Sequence, residues 1–339
     1  DFVRYDDLFM RFNGGFYGYN TWNDFLDGRT PYNYIQSFSD SGGRTVFNQN
    51  FYSGYLQDEW RATPELTVAL GVRYDFQEHD QPSTSNSLYR LTGQIPNDGD
   101  NFSVRGGFAW DPSGDGKSVV RGGFGNFFDS IPAILDAQVM LQNGVNIVQV
   151  EQFCWWGGTC PSYPERWASI GDVPPNARPD IQVIDPQFEN PETFRIWLGY
   201  EREILNDLAV GIDVTYSRTR DLVRKQDQNL VRTDERTVDG RTIYEYGTAN
   251  DEFGRIVMYR SDARANFRSI TLTAHKRLSK RWFLDASYTW AEARDNDSNE
   301  RSTSMIDEFP EDQYDIDAEW GPSDFDVRHK FVVSGGVLL

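Results

Sequence analysis

Between residues 65 and 76 every second position is apolar. Leu66, Val68, Leu70, Val72, Tyr74 and Phe76 fill the even positions, and Thr67, Ala69, Gly71, Arg73 and Asp75 the odd ones. Successive side chains of a strand point to opposite faces, so this order gives one strand an apolar face and a small or charged face. The split recurs along the chain. Phe102, Val104, Phe108 and Trp110 oppose Ser103, Arg105, Gly107 and Asp111. Leu208, Val210, Ile212, Val214 and Tyr216 oppose Ala209, Gly211, Asp213, Thr215 and Ser217. Trp282, Leu284, Ala286, Tyr288 and Trp290 oppose Asp285, Ser287 and Thr289, with Phe283 breaking the rule. Phe194, Ile196, Leu198 and Tyr200 form a further set, as do Phe331, Val333, Val337 and Leu339. Segments 2–12, 47–61, 118–128 and 268–278 read as strands with noisier alternation. The sum is roughly ten strands of about the 9–11 residues that cross a bilayer at a tilt.

The connections separate a membrane barrel from a soluble β-protein. Short hairpin links fall at Thr63-Pro64, Asp111–Lys117, Leu205-Asn206-Asp207 and Ser279-Lys280-Arg281. Between them lie long polar stretches: 13–46, 77–101, 129–193, 217–267 and 291–325. Short and long alternate, as they do in an up-and-down outer-membrane barrel with short periplasmic turns and long extracellular loops. A sandwich or propeller has no reason to put every long loop at one end. Aromatics at strand ends (Trp60, Tyr74, Phe76, Trp110, Trp282, Trp290) fit interfacial girdles. Asp129–Gln142 reads as a loop holding a short helix after Ile131-Pro132.

Composition narrows the function classes. With 33 Lys and Arg against 52 Asp and Glu the formal charge is −19, which argues against a nucleic-acid partner. A mean hydropathy of −0.62 is polar, yet 15% aromatics exclude disorder. No run approaches the roughly 18 apolar residues of a membrane helix, and barrels need none. The N-terminus Asp1-Phe2-Val3-Arg4-Tyr5 lacks a signal-peptide pattern, so the chain is expected to be a fragment or a processed product. The two cysteines, Cys154 and Cys160, bracket Trp155-Trp156-Gly157-Gly158-Thr159. Their spacing suggests a disulfide in an oxidising compartment, the alternative being two free thiols in a loop.

Several segments now resemble one family. Gln57-Asp58-Glu59-Trp60-Arg61-Ala62-Thr63-Pro64-Glu65-Leu66-Thr67, followed by Leu70-Gly71-Val72-Arg73-Tyr74, looks like the barrel signature of Oar-like TonB-dependent receptors. Phe108-Ala109-Trp110-Asp111-Pro112, Gly114–Lys117, Arg121–Gly125 and Phe127-Phe128-Asp129 continue it. Ala286–Ala291 and Asp324–Phe331 complete it, so the likeness runs from about residue 12 to the C-terminus. The resemblance implies a barrel of about 22 strands plugged by an N-terminal domain. It implies uptake of a ligand with energy delivered by an inner-membrane TonB complex. Residues 1–339 are therefore expected to be one barrel portion, all-β and antiparallel. No plug, no TonB box and no closing C-terminal strand ending in an aromatic residue is found within it. The TonB complex would act through the N-terminal region that the resemblance places elsewhere.

Other constellations weigh little. Asp111–Ser118 imitates a phosphate loop, but the first glycine would fall on Asp111; as a calcium loop it carries Gly122 where a bidentate Glu is required. A plain hairpin turn is preferred. His79, His275 and His329 are too scattered for a zinc site or a His-based nucleophile. No pair among the many carboxylates is marked out as acid and base. Neither a catalytic site nor a cofactor is expected. Candidate ligand contacts are Trp155 and Trp156, since Trp concentrates binding energy, and Asp312, Asp315 and Asp317 in the acidic stretch 307–320. Loop packing and a solvated acidic loop are the respective plain alternatives. The expected partners are outer-membrane lipid, an external ligand and the TonB complex. A passive channel or adhesion barrel is the main alternative, and a soluble secreted β-protein a lesser one.

Overall fold

The computed structural model describes residues 1–154, 159–246, 249–298 and 309–338. In chain order its strands are β1 (Phe2–Leu8), β2 (Phe16–Gly18), β3 (Asn33–Phe38), β4 (Arg44–Thr63), β5 (Leu66–His79), β6 (Phe102–Trp110), β7 (Ser118–Phe128) and β8 (Val148–Phe153). There follow β9 (Pro179–Ile184), β10 (Glu192–Leu205), β11 (Leu208–Asp227), β12 (Leu230–Arg236), β13 (Thr242–Tyr246), β14 (Ile256–Ser279), β15 (Trp282–Asp295), β16 (Gly321–Pro322) and β17 (His329–Val337). Helix α1 spans Trp22–Leu26 and α2 spans Ala133–Leu141.

Ten of these strands form a single-layered antiparallel wall in the order β1-β4-β5-β6-β7-β10-β11-β14-β15-β17. Apart from β1 and β4, each strand pairs with the next long strand in sequence. Register decides the faces. One cross-strand row reads Trp60, Val68, Phe108, Gly122, Leu198, Val214, Ile270 and Trp290. The neighbouring row reads Glu59, Ala69, Gly107, Gly123, Trp197, Thr215, Ser269 and Ala291. Pairing thus carries the alternation of each strand sideways into one apolar sheet face and one of small and polar residues. Gly122 interrupts the apolar row only in name. A Cβ there would meet the Phe108 ring at 2.6 Å, so the ring already fills the space.

Among the described residues no second layer covers the apolar face. Leu70, Val72, Leu198 and Val214 remain 44–52% exposed, and a contiguous apolar face of this kind is what a lipid-facing wall presents. The ten residue steps from Leu66 to Phe76 run roughly 33 Å along the strand, or roughly 25 Å along the membrane normal at a tilt of about 40°. Rings mark both ends of this band: Trp60, Trp110 and Trp282 beside the short turns, and Tyr74, Phe102 and Trp290 at the other end. The short turns are tight. Thr63 pairs Leu66, Leu205 pairs Leu208, and Ser279 pairs Trp282. Lys280 and Arg281 both take positive φ, 49° and 71°, the twist-matched geometry of a two-residue hairpin. In the fourth turn the Asp111 carboxylate accepts from the amides of Gly116 (2.8 Å), Gly114 (3.0 Å) and Ser113 (3.2 Å). Those bonds, the Gly116 amide foremost, hold its pKa below the ordinary carboxylate value and make it a turn fastener.

The opposite end is a folded lobe, where period and spacing predict only long polar loops. Above Ala265, β14 exchanges its neighbour β15 for β9, pairing Ile256–Tyr259 in parallel with Ile181–Ile184. The sheet then continues through β8 and β3 to β2. Several strands accordingly outrun their sequence-based ends: β11 continues to Asp227 and β14 begins at Ile256. There Val223–Asp227 is buried throughout, so the one-sided alternation disappears. The lobe core collects Phe47, Leu135, Val139, Ile184, Val223 and Tyr259, with α2 at its centre. The short helix expected after Ile131-Pro132 is this α2.

Replacing Leu198 by Arg on the apolar row is expected to destabilise the wall by about 2–4 kcal/mol. Thr215→Arg, on the row facing the other way, should stay close to wild type. The folded fraction in native membranes across a guanidinium titration measures both; equal losses would contradict the assignment of faces.

Candidate functional site

The lobe roofs the polar face of the wall, and a cavity of about 680 Å³ lies where the two meet. The pleat presents Ser53, Arg73, Asp75, Ser103, Arg105 and Phe127 to it from four adjacent strands. Arg73 forks onto Asp75, with Nε 2.7 Å from Oδ2 and Nη2 2.7 Å from Oδ1. The Arg105 guanidinium lies 4.9 Å over the Phe127 ring. The lining therefore offers a neutralised ion pair, a second cation with an aromatic face beside it, and hydroxyls. These groups recognise polar ligands; none of them forms a nucleophile–base pair. No cluster of three or more potential metal ligands occurs among the described residues.

The roof is fastened by buried polar contacts. Gln77 clamps the entry to α2, donating from Nε2 to the Ile131 carbonyl (2.9 Å) and accepting from the Ile131 amide (2.8 Å). Asp136 of α2 is fully buried, and its Oδ2 meets His79 Nδ1 at 2.6 Å and Gln49 Nε2 at 2.7 Å. Losing one partner would strand a buried carboxylate, so the interaction fixes the roof in one position.

The ligand contacts expected from sequence are placed unevenly. Trp155 and Trp156 lie outside the described residues. Their flanking cysteines are joined by a disulfide that packs against Tyr34, Val150 and Trp167. Closing so short a loop contributes about 2 kcal/mol in the chain-entropy account. Asp312 turns into the lobe, accepting from Tyr244 Oη, Thr242 Oγ1 (2.7 Å) and the Tyr314 amide (2.9 Å). Burial acts against its charge, but these bonds win and hold its pKa below the ordinary value. Asp317 pairs with Arg264 at 2.8 Å, and Asp315 is exposed. The three aspartates therefore have separate surroundings and no shared binding point. Arg105 and Phe127 belong to strands legible in the sequence, but their meeting depends on the β6–β7 register, which no local pattern announces.

At Asp180 burial outweighs the compensation. Asp180 on β9 accepts from the Arg255 amide at 2.7 Å through Oδ1, while Oδ2 finds no hydrogen-bond donor among the described residues. Burial raises its pKa to about 7, with Arg255 opposing and Glu151 adding to the rise. Arg255 is itself 3.0 Å from Glu151.

Residues 6–339 match the family model described as Outer membrane beta barrel domain. The TonB-dependent transporter Oar of Myxococcus xanthus is 22% identical over 260 residues, covering 70% of this chain and 22% of that protein. The crystal structure of the outer membrane transporter YddB from Escherichia coli superposes with a TM-score of 0.54 at 12% identity. That match covers 89% of this chain and 35% of the other, and it supports the fold alone. The chain thus spans about a fifth of the one relative and a third of the other.

Thiol titration of the unreduced, unfolded chain should find no free thiol, and two per chain would reject the Cys154–Cys160 link. The buried acid makes a second expectation. An acid whose folded pKa lies above its unfolded value takes up a proton on folding between the two. Asp180 therefore makes the lobe more stable as pH falls through about 7 towards 4, with nothing further gained below. Amide protection of Ile181 and Val183, corrected for intrinsic exchange, should be greater at pH 5 than at pH 8. Asp180→Asn should flatten that difference, and an unchanged pH profile would reject the assignment.

Proposed function

We propose that this chain, which belongs to the Outer membrane beta barrel domain family, is wall and outer lobe of a receptor that captures an external ligand for TonB-energised uptake. It is an outer-membrane barrel protein related to TonB-dependent transporters, and not an enzyme. The fastened roof carries the finer reading. A passive channel needs an open lumen, whereas α2 and the lobe sheet are locked over the polar face with a polar cavity beneath. That arrangement suits a binding vestibule whose contents must be drawn inward. The likeness to Oar supports TonB as the source of work. On this reading the chain is one portion of a larger barrel, with Trp155, Trp156 and the exposed Asp315 as candidate ligand contacts.

Orientation and coupling are tested separately. Asp239→Cys, in the β12–β13 turn of the lobe, should react with a bulky membrane-impermeant maleimide on intact cells. Asp115→Cys, in the β6–β7 turn, should react only after lysis. The reverse pattern would overturn the vestibule. For coupling, loss of this gene and loss of TonB should produce the same nutrient-limited growth defect, with the double mutant no worse. Additive defects would separate this protein from TonB.

A further inference from the structure

Away from the cavity, the lobe carries an open cleft of about 410 Å³ lined by Tyr17, Tyr19, Thr21, Trp22, Phe25 and Tyr163. Five of the six are aromatic, and they are organised around Phe25. Its ring lies 5.2 Å from Trp22, 5.4 Å from Tyr163 and 5.5 Å from Tyr19, and Tyr17 meets Tyr163 edge-on at 5.6 Å. These contacts leave ring area free: Trp22, tilted against Phe25, and Tyr163, edge-on to it, stay 69% and 59% exposed. The platform is nonetheless held in place. A capping box ties Thr21 to Asp24 in both directions, and Tyr17 donates its hydroxyl to the Glu165 carbonyl.

Across Tyr19 a second cleft of about 270 Å³ changes character, presenting Asn20, Asp24, Arg29 and Thr30. Arg29 is held 3.1 Å from Asp24 and 3.6 Å from Asp27. An aromatic floor beside planar amide, carboxylate and guanidinium groups matches one ligand chemistry closely. A pyranose has a C–H face that rests on a ring and equatorial hydroxyls that both donate and accept. An acyl chain or an apolar peptide would find no use for the polar half.

We propose that these adjacent clefts, which share Tyr19, form a subsite for a neutral pyranose ring of an extracellular oligosaccharide or polysaccharide. Neutral sugars are favoured because the chain carries a net charge of −19, which repels uronates and sulfated glycans. Such a subsite deepens the receptor reading by naming a ligand class for the outer lobe, and it rests on that lobe being external.

The test uses the purified protein in lauryldimethylamine oxide, a detergent with no sugar headgroup, titrated with maltohexaose, cellohexaose, chitohexaose and oligogalacturonate. Calorimetry should show saturable binding of at least one neutral hexamer and none of the uronate. Trp22→Ala and Tyr163→Ala should each weaken binding roughly tenfold, and Trp22→Phe, which retains a ring, by less. Both side chains are exposed, so folding should survive, as heat-modifiable gel mobility will show. Three results would overturn the subsite: no neutral hexamer bound, the uronate bound in preference, or affinity indifferent to both alanine substitutions. TonB takes no part in this titration. A failure of energised uptake would therefore leave the binding result unchanged, and a failure to bind sugar would leave the uptake reading standing.

Discussion

A bilayer offers the peptide group no water. Every N–H and C=O inside the apolar band must therefore find a partner within the protein, and a sheet can supply one only from the next strand. The wall answers this with an almost unbroken antiparallel ladder from β4 to β17, interrupted by register shifts mainly at the strand ends. Because the ladder fixes which residues stand side by side, it also fixes the faces. Slipping one strand by a single residue would turn its leucines and valines to the polar side and its arginines to lipid. The register is thus the constraint through which the apolar face, the polar lining and the cavity all exist together.

Above the membrane the constraint is lifted and the same strands behave differently. Water can satisfy backbone groups there, so strands may end, diverge or gain new neighbours. β14 pairs with β11 and β15 in the wall and with β9 higher up, a change of partner that would be forbidden within lipid. The lobe that results has an ordinary buried core and resembles a small soluble domain built from loop sequence. Its attachment to the wall is polar and buried, through Gln49, Gln77, His79 and Asp136. An apolar seam would tolerate sliding; these directional contacts favour one seating of the lobe over the cavity.

Legibility in the sequence follows the environment of each segment. The strands facing lipid on one side and the lumen on the other alternate cleanly, and 65–76, 102–110 and 208–216 are readable for that reason. Where both faces are buried the alternation is lost, so the upper parts of β11 and β14, and all of β3, β8 and β9, look like loop in the sequence. The expected site residues behave similarly. Asp312 and Asp317 stand out as charges in a loop, but a linear sequence cannot show that Tyr244 and Arg264 engage them.

Period, spacing and residue type are local properties, and they suffice for the class of the protein. They specify an up-and-down membrane wall of about ten strands, with short turns at one end and long segments at the other. The rest required the folded chain. Only there do the long segments form a lobe, does α2 close over the polar face, does Arg105 meet Phe127, and do Tyr17, Trp22, Phe25 and Tyr163 gather into one cleft. Each of these joins residues from strands or loops whose meeting is set by register and chain return. A contact between Phe25 and Tyr163 leaves no periodic trace in either segment, because neither needs the other to form its own backbone structure.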